Sequence, residues 1–276
     1  MKILAVGDFH GKFPNKLKKE AKKADIILCT GDLGGSDKLL GVIFKYFRQN
    51  WWEKIGLKKA KKYVLEDYNA GKKIINELNK LKKPVYIIPG NWDFTSKGKV
   101  ERTAGFDLVS YPNLIRKKKN LKYWNRGLKK IKGLKILAFG GQVTAGAYLE
   151  KGGFFKGKKR DREVKRNKKE TKQILSYGKK DIDLLFAHYT PYGYFDVVKF
   201  KGENPMNGKH VGFKGYTEYI KKFQPKLFIC GHMHEYQGMK KLGRTKIIAT
   251  GSAKQGKAVM LDFDEKNKIK KIRFIK

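Results

Sequence analysis

Cysteine is nearly missing from this chain: only Cys29 and Cys230 occur in 276 residues. Both lie in apolar runs, DIILCTGD and KLFICGHMH, and read as small buried hydrophobes. Nothing in their spacing asks for a disulfide, so a disulfide-stapled scaffold is excluded. Long apolar runs are missing too. No stretch approaches the ~20 apolar residues a membrane-spanning helix needs, which excludes a membrane partner of that kind. The chain opens on MKILAVGD, a strand-like run with no long apolar segment and cleavage site, so the expected location is cytoplasmic. Acidic residues are scarce: 25 Asp and Glu stand against 65 Lys and Arg, a net charge of +40. That imbalance argues against a surface of balanced ion-pair networks.

Aromatic and apolar residues are plentiful. Hydrophobic residues make up 40% of the chain, with 17 Phe, 14 Tyr and 4 Trp, enough for a sizeable core. Of the 65 basic residues only nine are Arg, so the excess is one of lysine, a hydrated point charge rather than a planar fork. Such a field attracts polyanions, nucleic acid among them. The lysines are nevertheless scattered over the whole chain, which favours a lysine-rich compositional bias. No feature sets an oligomeric state.

Short apolar runs recur at 3–6, 25–30, 84–89, 134–139, 183–188, 226–231, 245–250 and 258–263, each ending in Gly or a polar turn. Most are continuous rather than alternating, as expected of strands covered on both faces. The last run, KIKKIRFIK, alternates and reads as an edge strand. Between the second and third runs, Val64, Leu65, Tyr68, Ile74, Ile75 and Leu78 keep a helical spacing up to Pro84. Residues 38–55 read as a separate helix packed down by Trp51 and Trp52. Strands alternating with helices imply an α/β sheet, and the strands after 226 are expected to pair largely antiparallel. Two basic segments, 151–180 and 196–214, interrupt the pattern: the first reads as a loop followed by an amphipathic helix. Both are placed to overhang a site, although a charge run is usually solvated surface. With no linker and no internal repeat, residues 1–276 read as a single domain.

Five histidines are present, and four follow apolar runs directly: His10 in VGDFHG, His188 in LLFAHYTP, and His232 with His234 in CGHMHE. Strand ends at the mouth of an α/β sheet are where ligands bind. Carboxylates and an amide obey the same rule, with Asp8 in the first motif, Asp32 in CTGDLGG and Asn91 in IPGNWD. The two-residue spacing of Asp8 and His10, and of His232 and His234, puts each pair on one face of an extended chain. Gly7, Gly31, Gly90 and Gly231 each precede a ligand candidate and permit a sharp exit from the strand. Nitrogen and oxygen donors without thiolate suit Mn, Fe, Zn or Ni, and Mn is the expected ion.

In their order, GDFHG, GDLGG, GNWD, AHYTP and GHMH resemble the motifs of the calcineurin-like metallophosphoesterase superfamily, over about residues 1–263. The resemblance implies a four-layer αββα sandwich of two mixed β-sheets. It implies two divalent ions, one held by Asp8, His10, Asp32 and His234, the other by Asp32, Asn91, His188 and His232, with Asp32 bridging. It implies hydrolysis of a phosphate ester by in-line attack of a metal-bridging hydroxide, with Asp32, Asn91 and His10 in catalytic roles and Asn91 and Trp92 meeting substrate.

One departure stands out. Trp92 occupies the position where the family's GNHD motif has the histidine commonly assigned to protonate the leaving group. Indole delivers no proton at neutral pH. Some phosphodiesterase-like branches also lack that histidine, so a phosphodiesterase is the favoured activity. His210, in NGKHVG, is the one remaining histidine that could substitute, and Asp93 is left with a structural role. A protein Ser/Thr phosphatase is disfavoured, because GDLGG lacks the Arg of that branch's GDYVDRG. Two alternatives stand beside the phosphodiesterase: a metal-dependent nuclease, consistent with the +40 charge, and a non-catalytic metal-binding scaffold.

Overall fold

Alternate residues of each central strand face different cores. In β1 (Lys2–Val6), Leu4 and Val6 pack under helices while Ile3 and Ala5 face a second sheet. In β8 (Leu227–Cys230) the same alternation sends Phe228 and Cys230 one way and Leu227 and Ile229 the other. This period of two, with apolar residues at both parities, makes each sheet the middle of a three-layer stack. The inter-sheet core is shared, so the layers run helix, sheet, sheet, helix. These observations come from a computed structural model that describes residues 1–47, 49–143, 155–178, 181–199 and 206–276.

The first sheet has the order β12-β11-β1-β2-β3-β4, comprising β1, β2 (Ile26–Cys29), β3 (Val85–Ile87), β4 (Leu121–Tyr123), β11 (Ala258–Phe263) and β12 (Ile269–Ile275). β1 to β4 are parallel, and β11 and β12 add antiparallel partners. The second has the order β5-β6-β7-β8-β10-β9, with β5 (Arg126–Ile131), β6 (Leu134–Phe139), β7 (Leu184–Ala187), β8, β9 (Gly238–Leu242) and β10 (Thr245–Ala249). Both sheets are mixed, as expected. The C-terminal strands pair largely antiparallel, as expected, β9 with β10 and β11 with β12, while β10 runs parallel to β8. The reason is β9, whose GMKKL lacks an apolar run yet returns the chain so that β10 re-enters in the direction of β8.

Helices α1 (Asn15–Lys22), α4 (Leu57–Lys80) and α6 (Tyr111–Arg116) cover the first sheet; α7 (Gly157–Leu175) and α8 (Lys214–Phe223) cover the second. The expected single helix over 38–55 is two, α2 (Asp37–Lys45) and α3 (Trp51–Ile55), with α5 (Lys99–Thr103) nearby. Gly56, at φ 81°, breaks α3 from α4. Trp51 and Trp52 meet edge to face at 5.9 Å and pack against Ala60, Val64 and Val100. The basic segment 151–180 supplies α7; residues 151–154 and 179–180 of that expectation lie outside the described residues. Of segment 196–214, residues 200–205 lie outside them, while Val197 bridges His210 in an antiparallel pair. Among the described residues no helix is long and apolar enough to cross a membrane.

Buried on α4, Asp67 is an exception to the apolar packing. It accepts hydrogen bonds from the Gly35 amide and the Ser36 side chain, while Oδ1 has no partner. Burial, helped by the charges of Asp32 and Asp93, pushes its carboxyl up to about 7. A folded-state value above the unfolded one means the proton is held more tightly in the fold, so ionisation costs stability as pH rises from about 4 through about 7. Asp67→Asn should remove this cost. The variant's unfolding free energy is expected to gain on wild type by an amount on the order of 3 kcal/mol between pH 4 and pH 8, read from denaturant titrations. A difference that does not vary with pH would overturn the assignment.

Candidate metal centre

Seven side chains singled out in the sequence converge where the two sheets present the C-terminal ends of β1, β2, β3, β7 and β8. Asp8, His10 and His234 form one cluster, and Asp32, His188 and His232 form a second, each with donor atoms mutually within 4.8 Å. Asn91 joins the second, its Oδ1 lying 2.8 Å from His188 Nε2. Asp32 Oδ2 faces both groups, at 3.9 Å from His10 Nε2 and 3.4 Å from His188 Nε2. Asp8 Oδ1 is 3.4 Å from His234 Nε2.

The ligand-bearing backbone is not extended, contrary to the reading of D-x-H and H-x-H as one-face pairs. Asp8, His10, Asp32 and His232 all take positive φ, between 44° and 69°. Left-handed residues fold the chain back at the strand end, and Asp and His tolerate this region better than most side chains. The cost is on the order of 1–3 kcal/mol per residue, and such strain is concentrated at functional sites. The glycines before the ligands serve mainly close approach. A Cβ on Gly7 would strike Thr30 Oγ1; on Gly90, Asp32 Oδ1; on Gly231, Asp8 Oδ2. Gly31 alone of the four has positive φ, at 94°, and also abuts Gly90.

Asp93 binds two of the motifs together. Its carboxylate accepts from the backbone amides of Asp32 at 2.9 Å, Leu33 at 2.8 Å and Gly90 at 2.8 Å. The structural role expected of it is therefore specific: it clamps the GDLGG loop to the GNWD loop. Trp92 donates its backbone N–H to Asp32 Oδ1 at 2.8 Å, and its indole stands edge-on to His10 with ring centres 6.5 Å apart. Asp8 accepts the His232 amide, and its own carbonyl accepts from the Ser252 hydroxyl at 2.8 Å. Neither Thr30 nor Ser252 was legible as a contributor. His210 belongs to neither cluster: its Nδ1 pairs with the buried Asp196 at 2.9 Å, and its ring lies against Tyr192.

The electrostatics suit bound cations. Burial works against charge at Asp32, yet His188 holds its carboxyl well below the usual carboxylate range. Burial likewise opposes protonation of His188, and Asp32 overrides it, lifting the imidazole to about 9. His232, buried beside that charge, is pushed down to about 3. Burial lowers His10; His234 is raised, because the hydrogen bond and charge of Asp8 outweigh burial. A second test of fit is the donor set. His188 Nδ1 lies 2.8 Å from the Thr30 carbonyl, an acceptor, and must carry its proton there. With its second proton, Nε2 donates to the Asn91 carbonyl oxygen 2.8 Å away; without it two lone pairs face each other there, an arrangement that a metal between them satisfies. His10 Nε2 and His234 Nε2, 2.9 Å apart, pose the same alternative. The residues fit a pair of divalent ions.

A sequence model of the calcineurin-like phosphoesterase family matches residues 1–236. The chain belongs to that family. Among solved structures, one crystal structure superposes with a TM-score of 0.62 at 21% identity, over 100% of this chain and 99% of its own. TT1561 of Thermus thermophilus reaches 0.52 at 16% identity over 99% and 97%. A dimetal phosphatase from Danio rerio reaches 0.52 at 10% identity over 95% and 92%. These likenesses show the fold. A search of curated proteins finds no matching relative. For this calcineurin-like chain, Gly31→Ala should be far costlier than Gly41→Ala, which lies in α2 with open space around it. Thermal melts are expected to show a loss of roughly 3 kcal/mol or more for the first and no loss for the second. Equal effects would refute the close-approach argument.

Proposed function

We propose that the chain is a dinuclear-metal-dependent phosphoesterase that favours phosphodiesters, working as one domain over residues 1–276. What carries this reading is the convergence of Asp8, His10 and His234 with Asp32, His188 and His232 about one shared carboxylate. Asp8, His10, Asp32 and His234 would hold one ion, and Asp32, Asn91, His188 and His232 the other. Bound there, two divalent cations, Mn foremost and Fe, Zn or Ni as alternatives, supply Lewis acidity toward water and the phosphoryl oxygens.

The protein's part is orientation. Thr30 fixes the His188 tautomer, Trp92 N–H and Asp93 hold the Asp32 and Asn91 loops, and the positive-φ turns aim the donors inward. Asn91 and Trp92 face the substrate in this reading. Trp92 adds a constraint on chemistry: its indole gives up no proton at neutral pH, so leaving groups that depart as stable anions are favoured. His210, paired to Asp196, is not assigned the acid role. The cytoplasm is the proposed setting, where free thiols such as Cys29 and Cys230 stay reduced.

Protein stripped with chelator and reloaded with Mn should bind two ions and hydrolyse an aryl phosphodiester faster than an aryl phosphomonoester. Asp32→Asn is expected to lose both ions and to lower turnover by about a thousandfold or more, whereas His234→Ala weakens one ion selectively. Metal content by elemental analysis, read beside turnover, decides the matter. Full metal content and unchanged rates in Asp32→Asn would sink the proposal.

A further inference from the structure

Helix α7 carries nine basic and three acidic residues in nineteen, and two of the three acids are turned away from solvent. Of its acids, Glu170 is buried against Arg126, at 3.1 Å, and Arg166, at 3.5 Å; Glu163 pairs with Arg166 at 3.6 Å. Asp161 alone among them is exposed, and its spacing from Lys158 and Lys165 puts one negative charge on the side where the cations gather. The cations Lys158, Arg162, Lys165, Lys168, Lys169 and Lys172 are all exposed and recur every three or four residues, so they line one side of the helix.

The helix also stands in a particular place. Arg126 clasps Glu170 and Gln173 with one end of its guanidinium, and Nε donates to the Gly140 carbonyl just beyond β6. Arg166 reaches the Gln142 carbonyl in the same stretch. Since α7 crosses from β6 back to the start of the parallel strand β7, it begins at the strands' C-terminal ends, where His188 follows β7. Thirteen residues of helix precede Glu170, about 20 Å at 1.5 Å per residue. Because Glu170 and Arg166 already meet the chain at the C-terminal end of β6, the helix residues before them run on beyond that end. Gly141 N–H donates to the Pro89 carbonyl at 2.9 Å, which joins the base of the projection to the loop bearing Asn91.

We propose that the exposed face of α7 is a docking surface for the sugar–phosphate backbone of a nucleic acid, which it leads to the metal centre. The inference rests on the phosphodiesterase reading for its consequence, although the docking itself does not require hydrolysis. Charge decides the occupant's sign. The lack of an exposed apolar anchor separates a nucleic acid from a lipid surface: Ile174 is buried, and Val164 and Leu175 are half-buried. Lysine dominates the face, so the contacts are to phosphate as point charges and do not depend on base sequence. The +40 net charge by itself does not single out α7; six exposed cations against one exposed acid on one side of a helix that starts beside the candidate metal centre do.

The test is equilibrium binding of a short fluorescent phosphorothioate single strand to Mn-loaded protein across a salt series. In one variant Lys158, Arg162, Lys165 and Lys169 are changed to Gln. In a charge-matched control Lys266, Lys268, Lys270 and Lys271, exposed on and beside the distant edge strand β12, are changed to Gln. The α7 variant should lower the salt slope by about 3, at roughly 0.7 per lost phosphate contact, and weaken binding about tenfold or more; the control should change neither. A milder pair, Lys158→Gln with Arg162→Gln, should give about half the slope change and covers the case of a poorly folded quadruple variant. Equal losses in α7 variant and control, or no loss in either, would overturn the proposal. So would α7-dependent binding to phosphatidylserine vesicles with oligonucleotide binding intact. Binding lost in the α7 variant, with no cleavage of an ordinary phosphodiester strand by wild type, supports the docking surface and counts against the hydrolytic reading alone.

Discussion

Two carboxylates, Asp8 and Asp32, are buried at the ends of adjacent parallel strands, and their negative charge has to be answered locally. A buried carboxylate is tolerated only when charge and hydrogen bonds meet it. Four imidazoles, an amide oxygen and the Trp92 and His232 N–H groups surround this pair. Without a metal, the answer is a proton held by His188 well above its ordinary range and a His232 driven well below it. That splitting of like groups is what a crowded site produces when it has more donors than protons to share. Divalent ions held by these residues would relieve the same conflict more completely, because every imidazole could then remain neutral and donate its lone pair. The rest of the centre follows from keeping those donors close together.

Closeness is a backbone problem before it is a side-chain problem. The ends of β1, β2, β3 and β8 can meet only if no Cβ stands between them, hence glycine before Asp8, Asp32, Asn91 and His232. Four of the ligand candidates, Asp8, His10, Asp32 and His232, themselves absorb the reversal of direction, in the left-handed region. Asp93 then holds the GDLGG and GNWD loops by three amide hydrogen bonds, and its burial beside Asp32 raises its carboxyl to about 6. The site is thus supported by strained turns that the two sheets and the Asp93 clamp hold in place. Sheet register contributes as well, since the ligand loops leave neighbouring parallel strands at one end.

How much of this was legible depended on where each residue lies. The inner strands announce themselves as continuous apolar runs, and their polar ends single out the seven ligand candidates, because few histidines occur elsewhere to confuse the pattern. Strands β4, β5 and β9 went unread, and all three are sheet edges. Edge strands carry lysines that discourage further pairing, and RGLKKI or GMKKL therefore looks like loop. β12 is also an edge, but its alternation of Ile and Phe with Lys and Arg betrays a one-sided strand. Non-local backbone contacts were illegible for a different reason. That Gly7 serves Thr30, and that Asp93 caps amides some sixty residues away, follows from tertiary approach rather than from any local spacing.

The charge imbalance acquires a physical shape once the acids are located. Among the described residues, Asp8, Asp32, Asp67, Glu101, Glu170 and Asp196 are buried, a sizeable share of a chain with only 25 acidic residues. Each is placed by a need of the fold: the metal centre for the first two, loop and helix anchoring for the others, as with Glu170 beneath Arg126 and Asp196 beneath His210. Carboxylates drawn inward do not screen lysines left outside, so the surface is more one-signed than composition alone would make it. A lysine-rich background and a functional cationic face are therefore not exclusive. The background sets the mean field, and the inward use of acids by particular helices decides where it is strongest. In α7 that process removes all but one acid from the exposed side of a helix whose base touches the loop of Asn91. The same acids that hold the helix in place thereby leave its outer face to the lysines.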